Sequence, residues 1–168
     1  KGDNIFVMDK ASGFFVLDEV PNGKTLWLLG TGTGFGVFVS ILKTDKPWER
    51  FDNIVLVHGV RQENELTYLD QIKLFKEKKQ NNDNFANLFY VSTITREKKD
   101  GCYNKRIPEL IKDGTLEDLA KIKINTDSQF MLCGNPDMIN DTLNLLSEFG
   151  LDRNRRSKPG NVTIEKYW

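Results

Sequence analysis

Cysteine and histidine are scarce in this sequence: its 168 residues include two cysteines, Cys102 and Cys133, and one histidine, His58. The cysteines are far apart and form no CxxC pair, so neither a disulfide framework nor a zinc site is indicated. With no second histidine near His58, a metal site is not expected. This usage fits a reducing compartment, and we expect a cytoplasmic protein without a bound metal.

Long apolar runs and an excess of one charge are also absent. No stretch approaches the roughly 20 consecutive apolar residues of a membrane-spanning helix, and the N-terminus has no secretory signal pattern. The 24 Lys and Arg residues balance 24 Asp and Glu residues, so the chain has no net field to attract nucleic acid or an anionic membrane. We expect neither as a partner, and any positive charge that matters must be local.

Short β-rich runs alternate with helical patterns over most of the chain. The runs are 25–29, 53–58, 88–94, 129–133 and a strand-like ending at 161–168. This alternation is typical of an α/β fold in which helices cover a mostly parallel sheet.

Two helices stand out between these runs. Apolar residues recur at every third position from Leu66 to Phe75 and predict one helix, which fades in the polar stretch 76–84. Asn135 can cap a second helix, the proline after it suits a first turn, and Gly150 can end it in a left-handed conformation.

The first twenty residues differ from the rest. Residues 5–8 and 13–17 have the composition of two strands joined by a polar turn, with no helix between them. A two-stranded hairpin alone is marginal in water, so we expect these residues to complete an antiparallel unit whose remainder lies upstream. The start at Lys1, without an initiator Met, fits a cut through a longer protein, and we place a domain boundary near 21–23.

Four glycines occupy alternate positions in the segment 30–36, Gly-Thr-Gly-Thr-Gly-Phe-Gly, directly after the first predicted strand. Glycine admits positive φ and lets a phosphate approach backbone N–H groups at the start of a helix. The pattern fits GxGxG; it does not fit GxGxxG, and it has no P-loop lysine. By itself the segment is weak evidence for a phosphate site, and a tight structural turn is the alternative.

Four unusual segments follow the four main predicted strands: 30–36, 59–61, 93–96 and 133–136. In open parallel sheets, ligands bind beyond the carboxyl ends of the strands, where the connecting loops converge. We therefore expect these segments to lie at one edge of the sheet and to form the ligand site.

Arginines follow the predicted strands, including the second, after which an NAD-binding site has an acidic residue. The second run ends in His58-Gly59, without the carboxylate that holds a ribose hydroxyl in NAD-binding folds, and Arg61 follows it. Arg96 and Arg106 lie on a later loop. Because a guanidinium fork binds phosphate bidentately, the set favours NADP, with its 2'-phosphate, over NAD. A solvated basic loop is the alternative.

Cys133 and the terminal pair Tyr167-Trp168 have two interpretations each, and His58 has one. The thiol of Cys133, at a strand end before a helix, could lie against a flat ring or could be a small buried apolar group. The terminal Tyr167 and Trp168 could stack on a planar cofactor or a neighbouring domain, or could simply pack. His58, at the end of an apolar strand, is expected to be a structural histidine.

Several of these motifs resemble, in order, those of the bacterial ferredoxin (flavodoxin)–NADP reductases. They are 13–21, 25–33, 56–58, 106–111, 131–138 and the closing Tyr167-Trp168, and they span essentially the whole chain. In that family an antiparallel barrel binds FAD and a following α/β domain binds NADP. The resemblance implies that residues 1–22 are a remnant of a truncated FAD-binding β-barrel. It implies that residues 23–168 form an NADP-binding α/β domain, a five-stranded mostly parallel sheet with helices on both faces.

The resemblance also implies roles for individual residues. Arg61, Arg96 and Arg106 would hold the phosphates of NADP, chiefly the 2'-phosphate, and Cys133 would be the catalytic residue facing the reacting carbon of the nicotinamide. The other implied cofactor-binding residues are Thr31, Gly32, Thr33, Gly34, Gly36, Thr95, Gly134, Asn135, Pro136, Met138, and, on the FAD side, Tyr167 and Trp168. Gly34, Phe35 and Val37 depart from the residues that the family commonly has there, which favours a looser glycine turn.

The implied activity is that of an oxidoreductase: hydride transfer between NADPH and FAD, followed by one-electron transfer to ferredoxin or flavodoxin. We expect a monomer that binds NADP but is inactive alone, because most of the FAD site belongs to the missing N-terminal FAD domain. One alternative is the reductase component of an oxygenase, which would use NADH. Another is a non-catalytic nucleotide-binding module built on the same sheet.

Overall fold

A five-stranded sheet forms the centre of the computed structural model, which describes residues 2–6, 9 and 13–166. The strands are β1 (Thr25–Thr31), β2 (Asn53–Val60), β3 (Asn87–Ile94), β4 (Ser128–Gly134) and β5 (Val162–Lys166). Their order is β3-β2-β1-β4-β5, and every neighbouring pair is parallel. The predicted α/β fold is confirmed, with a wholly parallel sheet in place of a mostly parallel one.

Helices cover both faces of this sheet, as expected. They are α1 (Phe35–Leu42), α2 (Lys46–Arg50), α3 (Leu69–Gln80), α4 (Ile107–Lys112), α5 (Thr115–Ala120) and α6 (Pro136–Glu148). Buried residues of α1, α2 and α3 form one apolar cluster with the sheet, and those of α4, α5 and α6 form a second. None of the helices within the described ranges is both long and apolar enough to cross a membrane.

The central strand β1 explains why two layers of helices are needed. Leu26 and Leu28 belong to the first cluster, whereas Trp27 and Leu29 belong to the second. All four are 0% exposed. A strand that is apolar at consecutive positions must be covered on both faces, and this pattern therefore accounts for the three-layer arrangement.

Helix α6 begins and ends where the sequence predicts. The Asn135 side chain accepts hydrogen bonds from the backbone N–H groups of Asp137, at 2.8 Å, and Met138, at 3.2 Å. Gly150 follows the helix with φ +77°, and the Leu151 N–H donates to the Leu146 carbonyl at 3.0 Å. Backbone groups at both ends of α6 that lack a partner within the helix are thus hydrogen-bonded locally.

Helix α3 is displaced from its predicted position. It begins at Leu69 and continues to Gln80, through part of the polar stretch in which it was expected to fade. Partners for its lysines explain the extension: the Lys78 ammonium lies 2.8 Å from the Asp45 carboxylate, and the Lys79 ammonium donates to the Phe85 carbonyl at 2.6 Å.

The N-terminal segment differs from the prediction. Residues 2–6 and 13–16 form no strand, and Leu17–Glu19 form a 3-10 turn instead. A hairpin without further strands is marginal, whereas Leu17 gains burial against the first apolar cluster and its carbonyl accepts from Arg50 Nη1 at 2.8 Å. Among the described residues no barrel strand is seen, and part of the predicted strand 5–8 lies outside them. The barrel remnant and the domain division at 22/23 therefore stay predictions.

Replacing the cap of α6 tests this local account. We expect Asn135→Ala to lower the free energy of unfolding by about 1 kcal/mol, because two N–H groups lose their acceptor. Urea denaturation measures the change. Asn144→Ala, at an exposed position inside the same helix, is the matched control and should be neutral or slightly stabilising. Equal losses for both variants would contradict the capping role.

Candidate functional site

The carboxyl ends of four strands bring the predicted segments to one edge of the sheet. Gly30 is level with His58 of β2 on one side and with Cys133 of β4 on the other. Gly59 is in turn level with Thr93 of β3. All four loops that the sequence singled out therefore leave the sheet at the same edge.

The glycine turn, residues 32–34, is a 3-10 turn between β1 and α1. Gly32 is exposed and has φ +52°, and a Cβ placed on it would meet nothing within 4 Å. Gly34 is buried, and a Cβ there would lie 2.7 Å from the Cys133 carbonyl oxygen. The turn is thus closely packed on β4 at Gly34 and open above Gly32. The departures from the family pattern at Gly34, Phe35 and Val37 favoured a looser turn.

The turn between β4 and α6 lies against the glycine turn through Thr31. Gly134 has φ +130°, and a Cβ there would collide with the Thr31 side chain. The Asn135 N–H donates to Thr31 Oγ1 at 2.8 Å. These contacts bring Thr31, Gly32, Thr33, Gly34, Gly134, Asn135 and Pro136 together, with Gly36 and Met138 in the first turns of the two helices.

Cys133 occupies the predicted strand end, but its side chain is 0% exposed. It belongs to the apolar cluster that contains Phe35 and Phe38. The structure therefore agrees with the position expected for the thiol and gives it a buried setting. A role facing a nicotinamide ring stays a prediction.

Two of the three predicted arginines lie on directly connected loops. Arg61 follows β2 and Arg96 follows β3, and the Arg96 N–H donates to the Arg61 carbonyl at 2.9 Å. Beside them the Thr95 N–H donates to the Val60 carbonyl at 3.1 Å. An open pocket of ≈ 600 Å³ lies between the same two loops.

Arg106, the third arginine, precedes α4, and its neighbour Ile107 places it at the same edge of the sheet. A Cβ on Gly59 would lie 3.2 Å from Ile107 Cδ1, so the start of α4 packs on the end of β2. Arg61, Arg96 and Arg106 are all exposed. Among residues 2–6, 9 and 13–166 no carboxylate forms an ion pair with any of the three guanidinium groups, and their charge is available to an anion.

His58 lies beneath the glycine turn and is 0% exposed. Its ring stacks on that of Phe35, with centroids 3.8 Å apart and an interplanar angle of 10°. Neither ring nitrogen has a hydrogen-bond partner in good geometry. Burial lowers the pKa of His58 to about 4, although the nearby Gly32 backbone opposes part of the shift. The imidazole is therefore neutral at pH 7, in keeping with the structural role expected for it.

Sequence reasoning missed Tyr68. This residue precedes α3 with φ +63°, a left-handed conformation that is rare for an aromatic residue. Its hydroxyl lies 3.1 Å from the position a Cβ on Gly36 would take, and its ring centroid is 6.2 Å from that of Phe35. Tyr68 therefore packs on the start of α1, and no sequence pattern indicated this long-range contact.

Tyr167 and Trp168 lie outside the described residues, so their assignment to the FAD side stays a prediction. Within the part of the chain that is described, no three His, Cys, Asp or Glu side chains cluster in a way that could hold a metal ion.

Comparison with known proteins agrees with this geometry. Residues 28–144 match the family model described as "Oxidoreductase NAD-binding domain". The chain is 45% identical over 170 residues to the flavodoxin/ferredoxin–NADP reductase of Buchnera aphidicola subsp. Schizaphis graminum, covering 99% of this chain and 64% of that protein. It is 41% identical over 169 residues to the reductase of the same name from Escherichia coli strain K12, covering 99% of this chain and 66% of that protein.

A solved structure is similar as well. The crystal structure of a ferredoxin NADP+ reductase from Neisseria gonorrhoeae with bound FAD and NADP matches with a TM-score of 0.83 and 33% identity, over 95% of this chain and 62% of that one. The resemblance that the sequence motifs indicated is confirmed. The chain spans a little less than two thirds of the length of these relatives, 62% to 66%.

The buried state of His58 predicts how stability depends on pH. The unfolded chain takes up a proton on this imidazole near pH 6.5, and the folded chain does so only near pH 4. The contribution of the neutral His58 to the free energy of unfolding is therefore complete above pH 6.5 and is lost as the pH falls toward 4. The loss is about 3 kcal/mol at most.

Comparing unfolding free energies at pH 7 and pH 4.5 for the wild type and for His58→Phe isolates this contribution, because the variant retains an aromatic ring but cannot titrate. The wild type should lose more stability than the variant. As His58 is the one histidine of the chain, its NMR titration is a direct check, and a midpoint near 6.5 in the folded protein would contradict the buried assignment.

The close approach at Gly34 predicts intolerance of a side chain. Gly34→Ala should lower the free energy of unfolding by about 1–3 kcal/mol, because the Cβ meets backbone atoms of β4 that cannot give way. Gly36→Ala is the matched control: its Cβ meets the tip of the Tyr68 side chain, and alanine favours the helix. It should stay within about 1 kcal/mol of the wild type in urea denaturation.

Proposed function

Because the chain belongs to the oxidoreductase NAD-binding domain family, we propose that it is the NADP-binding domain of a ferredoxin (flavodoxin)–NADP reductase. One observation carries the choice of nucleotide: Arg61, Arg96 and Arg106 are exposed on the loops that follow β2 and β3, and none has an ion-pair partner among the described residues. The names of the relatives and the solved structure with bound NADP support the same assignment.

The charges beside β2 favour a phosphate over a ribose hydroxyl. Nearby carboxylates are already engaged: Glu65 accepts from the Arg61 backbone N–H at 2.9 Å, and Glu109 accepts from the Arg106 backbone N–H at 2.6 Å. These bonds position the two arginine backbones, and no carboxylate among the described residues forms an ion pair with their side chains. A 2'-phosphate gains charge-assisted, bidentate bonds from such groups, whereas a neutral hydroxyl cannot.

The glycine turn fits the other phosphates of a dinucleotide. The glycine turn leads directly into α1, since the Phe35 N–H donates to the Gly32 and Thr33 carbonyls, and no side chain caps the start of the turn. The N–H groups at the start of the turn therefore lie at the positive end of the helical segment. The space above Gly32 is open. A pyrophosphate placed there would meet backbone donors and favourable potential without steric conflict.

In this assignment the cofactors supply two-electron exchange between nicotinamide and flavin, with single electrons passed on to ferredoxin or flavodoxin. The contribution of the chain itself is positioning. The arginines would anchor the adenosine end, and Thr31, with the turns that it joins, would shape the opposite end. Cys133 would border the nicotinamide from beneath the glycine turn.

The flavin, in the same proposal, is held mainly by a separate barrel domain, and Tyr167 and Trp168 contribute from this chain. The 168 residues alone would then bind NADP as a monomer but transfer no electrons to an acceptor. The alternatives differ in a measurable way: a reductase component of an oxygenase would prefer NADH, and a non-catalytic module would remain inactive when joined to a flavin domain.

Titration of the 168-residue chain with 2'-phospho-AMP and, in parallel, with 5'-AMP tests the nucleotide choice. We expect clear selectivity for the 2'-phosphorylated ligand in isothermal calorimetry. Binding of both ligands with equal affinity would remove the support that the arginines give to NADP.

Substitution of Arg96 makes the same test residue by residue. Arg96→Ala should weaken binding of 2'-phospho-AMP by roughly tenfold or more, since a charged hydrogen-bonding group is worth about 1.5–3 kcal/mol, and should change 5'-AMP binding little. Arg153→Ala, which removes an exposed arginine from the loop before β5, is the control and should leave both affinities unchanged. Equal losses of both ligands in Arg96→Ala would refute the 2'-phosphate assignment.

A further inference from the structure

Two loops carry Arg61 and Arg96, and side chains join them. These are the β2–α3 loop, residues 61–68, and the β3–α4 loop, residues 95–106. In addition to the backbone bond between the two arginines, the Glu97 carboxylate accepts a hydrogen bond from the Glu63 N–H, and the Lys99 ammonium pairs with the Glu63 carboxylate. Two side chains of the β3–α4 loop thus hold Glu63: Glu97 binds its backbone N–H, and Lys99 binds its carboxylate.

Glu97 is itself fixed relative to the sheet. The Asn104 side-chain amide donates to the Glu97 carbonyl at 3.0 Å and to the Ile94 carbonyl, at the end of β3, at 2.7 Å. The preceding residue, Tyr103, forms a parallel bridge with Thr93 of β3. The β3–α4 loop therefore folds back on its own strand, and Glu97 extends from a well-anchored position.

The charge of Glu97 is unfavourable for the function proposed above. A carboxylate one residue from Arg96 repels a phosphate by simple Coulomb interaction. The hydrogen bond that the Glu97 carboxylate accepts from the Glu63 N–H, by contrast, holds the β2–α3 loop at a defined separation from the β3–α4 loop. Arginine side chains lose much rotamer freedom when they bind, so two of them share one phosphate effectively only when their backbones are already correctly spaced.

On the basis of the proposed function, we propose that Glu97 is a positioning residue for nucleotide selectivity. The backbone bond between Arg96 and Arg61 fixes these two residues beside each other. By accepting the Glu63 N–H, Glu97 holds the β2–α3 loop in place beyond Arg61, so that the two arginine side chains bind one nucleotide 2'-phosphate together. Glu97 therefore strengthens phosphate binding by fixing the position of the loop, whereas its negative charge weakens phosphate binding.

Three variants of the 168-residue chain separate position from charge. Glu97→Ala removes both the acceptor and the charge. Glu97→Gln removes the charge and retains an acceptor oxygen. Asp100→Ala removes a charge from the same loop at an exposed residue whose side chain makes no hydrogen bond within the described ranges, and it is the matched control.

The measurement is the ratio of the dissociation constants of 5'-AMP and 2'-phospho-AMP in isothermal calorimetry, together with the melting temperature. We expect Glu97→Ala to bind 2'-phospho-AMP about three- to tenfold more weakly, as for the loss of one hydrogen bond, with 5'-AMP binding unchanged. Glu97→Gln, which keeps the acceptor and loses the repelling charge, should match or exceed the wild-type ratio, and Asp100→Ala should keep or raise it.

Other outcomes are distinguishable. A wild type that does not select the 2'-phosphate overturns the proposed function itself. A selective wild type with an unchanged ratio in Glu97→Ala overturns only the role of Glu97. Tighter phosphate binding in both Glu97 variants would show that the residue acts by charge alone. An equal loss of both ligands in Glu97→Ala, with a lower melting temperature, would show a merely structural role; either result overturns the proposal.

Discussion

Parallel pairing of β1 with both β2 and β4 is the constraint on which the rest of the structure depends. It makes β1 the strand beside which the chain order changes direction, since β2 and β3 follow on one side and β4 and β5 on the other. Loops that leave the two sides of such a strand diverge to opposite faces and open a crevice at its carboxyl end. The glycine turn, the first arginine loop and the start of α6 meet there for this reason.

Close backbone packing at this crevice limits which residues it accepts. Gly34 and Gly134 lie where any Cβ would enter the neighbouring strand or turn, and Thr31 links the two turns through one hydrogen bond. Beneath them His58 and Phe35 form a stacked, fully buried pair. A neutral histidine suits this position because a charged ring would have to be desolvated. The turn is thus packed tightly from below and open above Gly32.

Electrostatics at the crevice is local. The chain has zero formal net charge, yet three arginines lie on the loops that follow β2 and β3. Among the acids of this region, Glu65, Glu97 and Glu109 accept from backbone N–H groups, and Glu63 pairs with Lys99. These four acids thus order the loops that carry the arginines.

The strands, the caps of α6 and the edge at which the site forms were predictable from the sequence, because apolar periodicity, Asn135 and Gly150 act through local backbone chemistry. The start of α3, the absence of strands in the described N-terminal residues and the left-handed Tyr68 were not, since each depends on contacts distant in sequence: Lys78 with Asp45, Leu17 with the sheet core, and Tyr68 with Gly36. The sequence by itself determined an α/β sheet with arginines and glycines at its strand ends. Only the tertiary structure decided that Arg61 and Arg96 are bonded neighbours and that Cys133 is buried, because parallel strands far apart in the chain must pair before either relation exists.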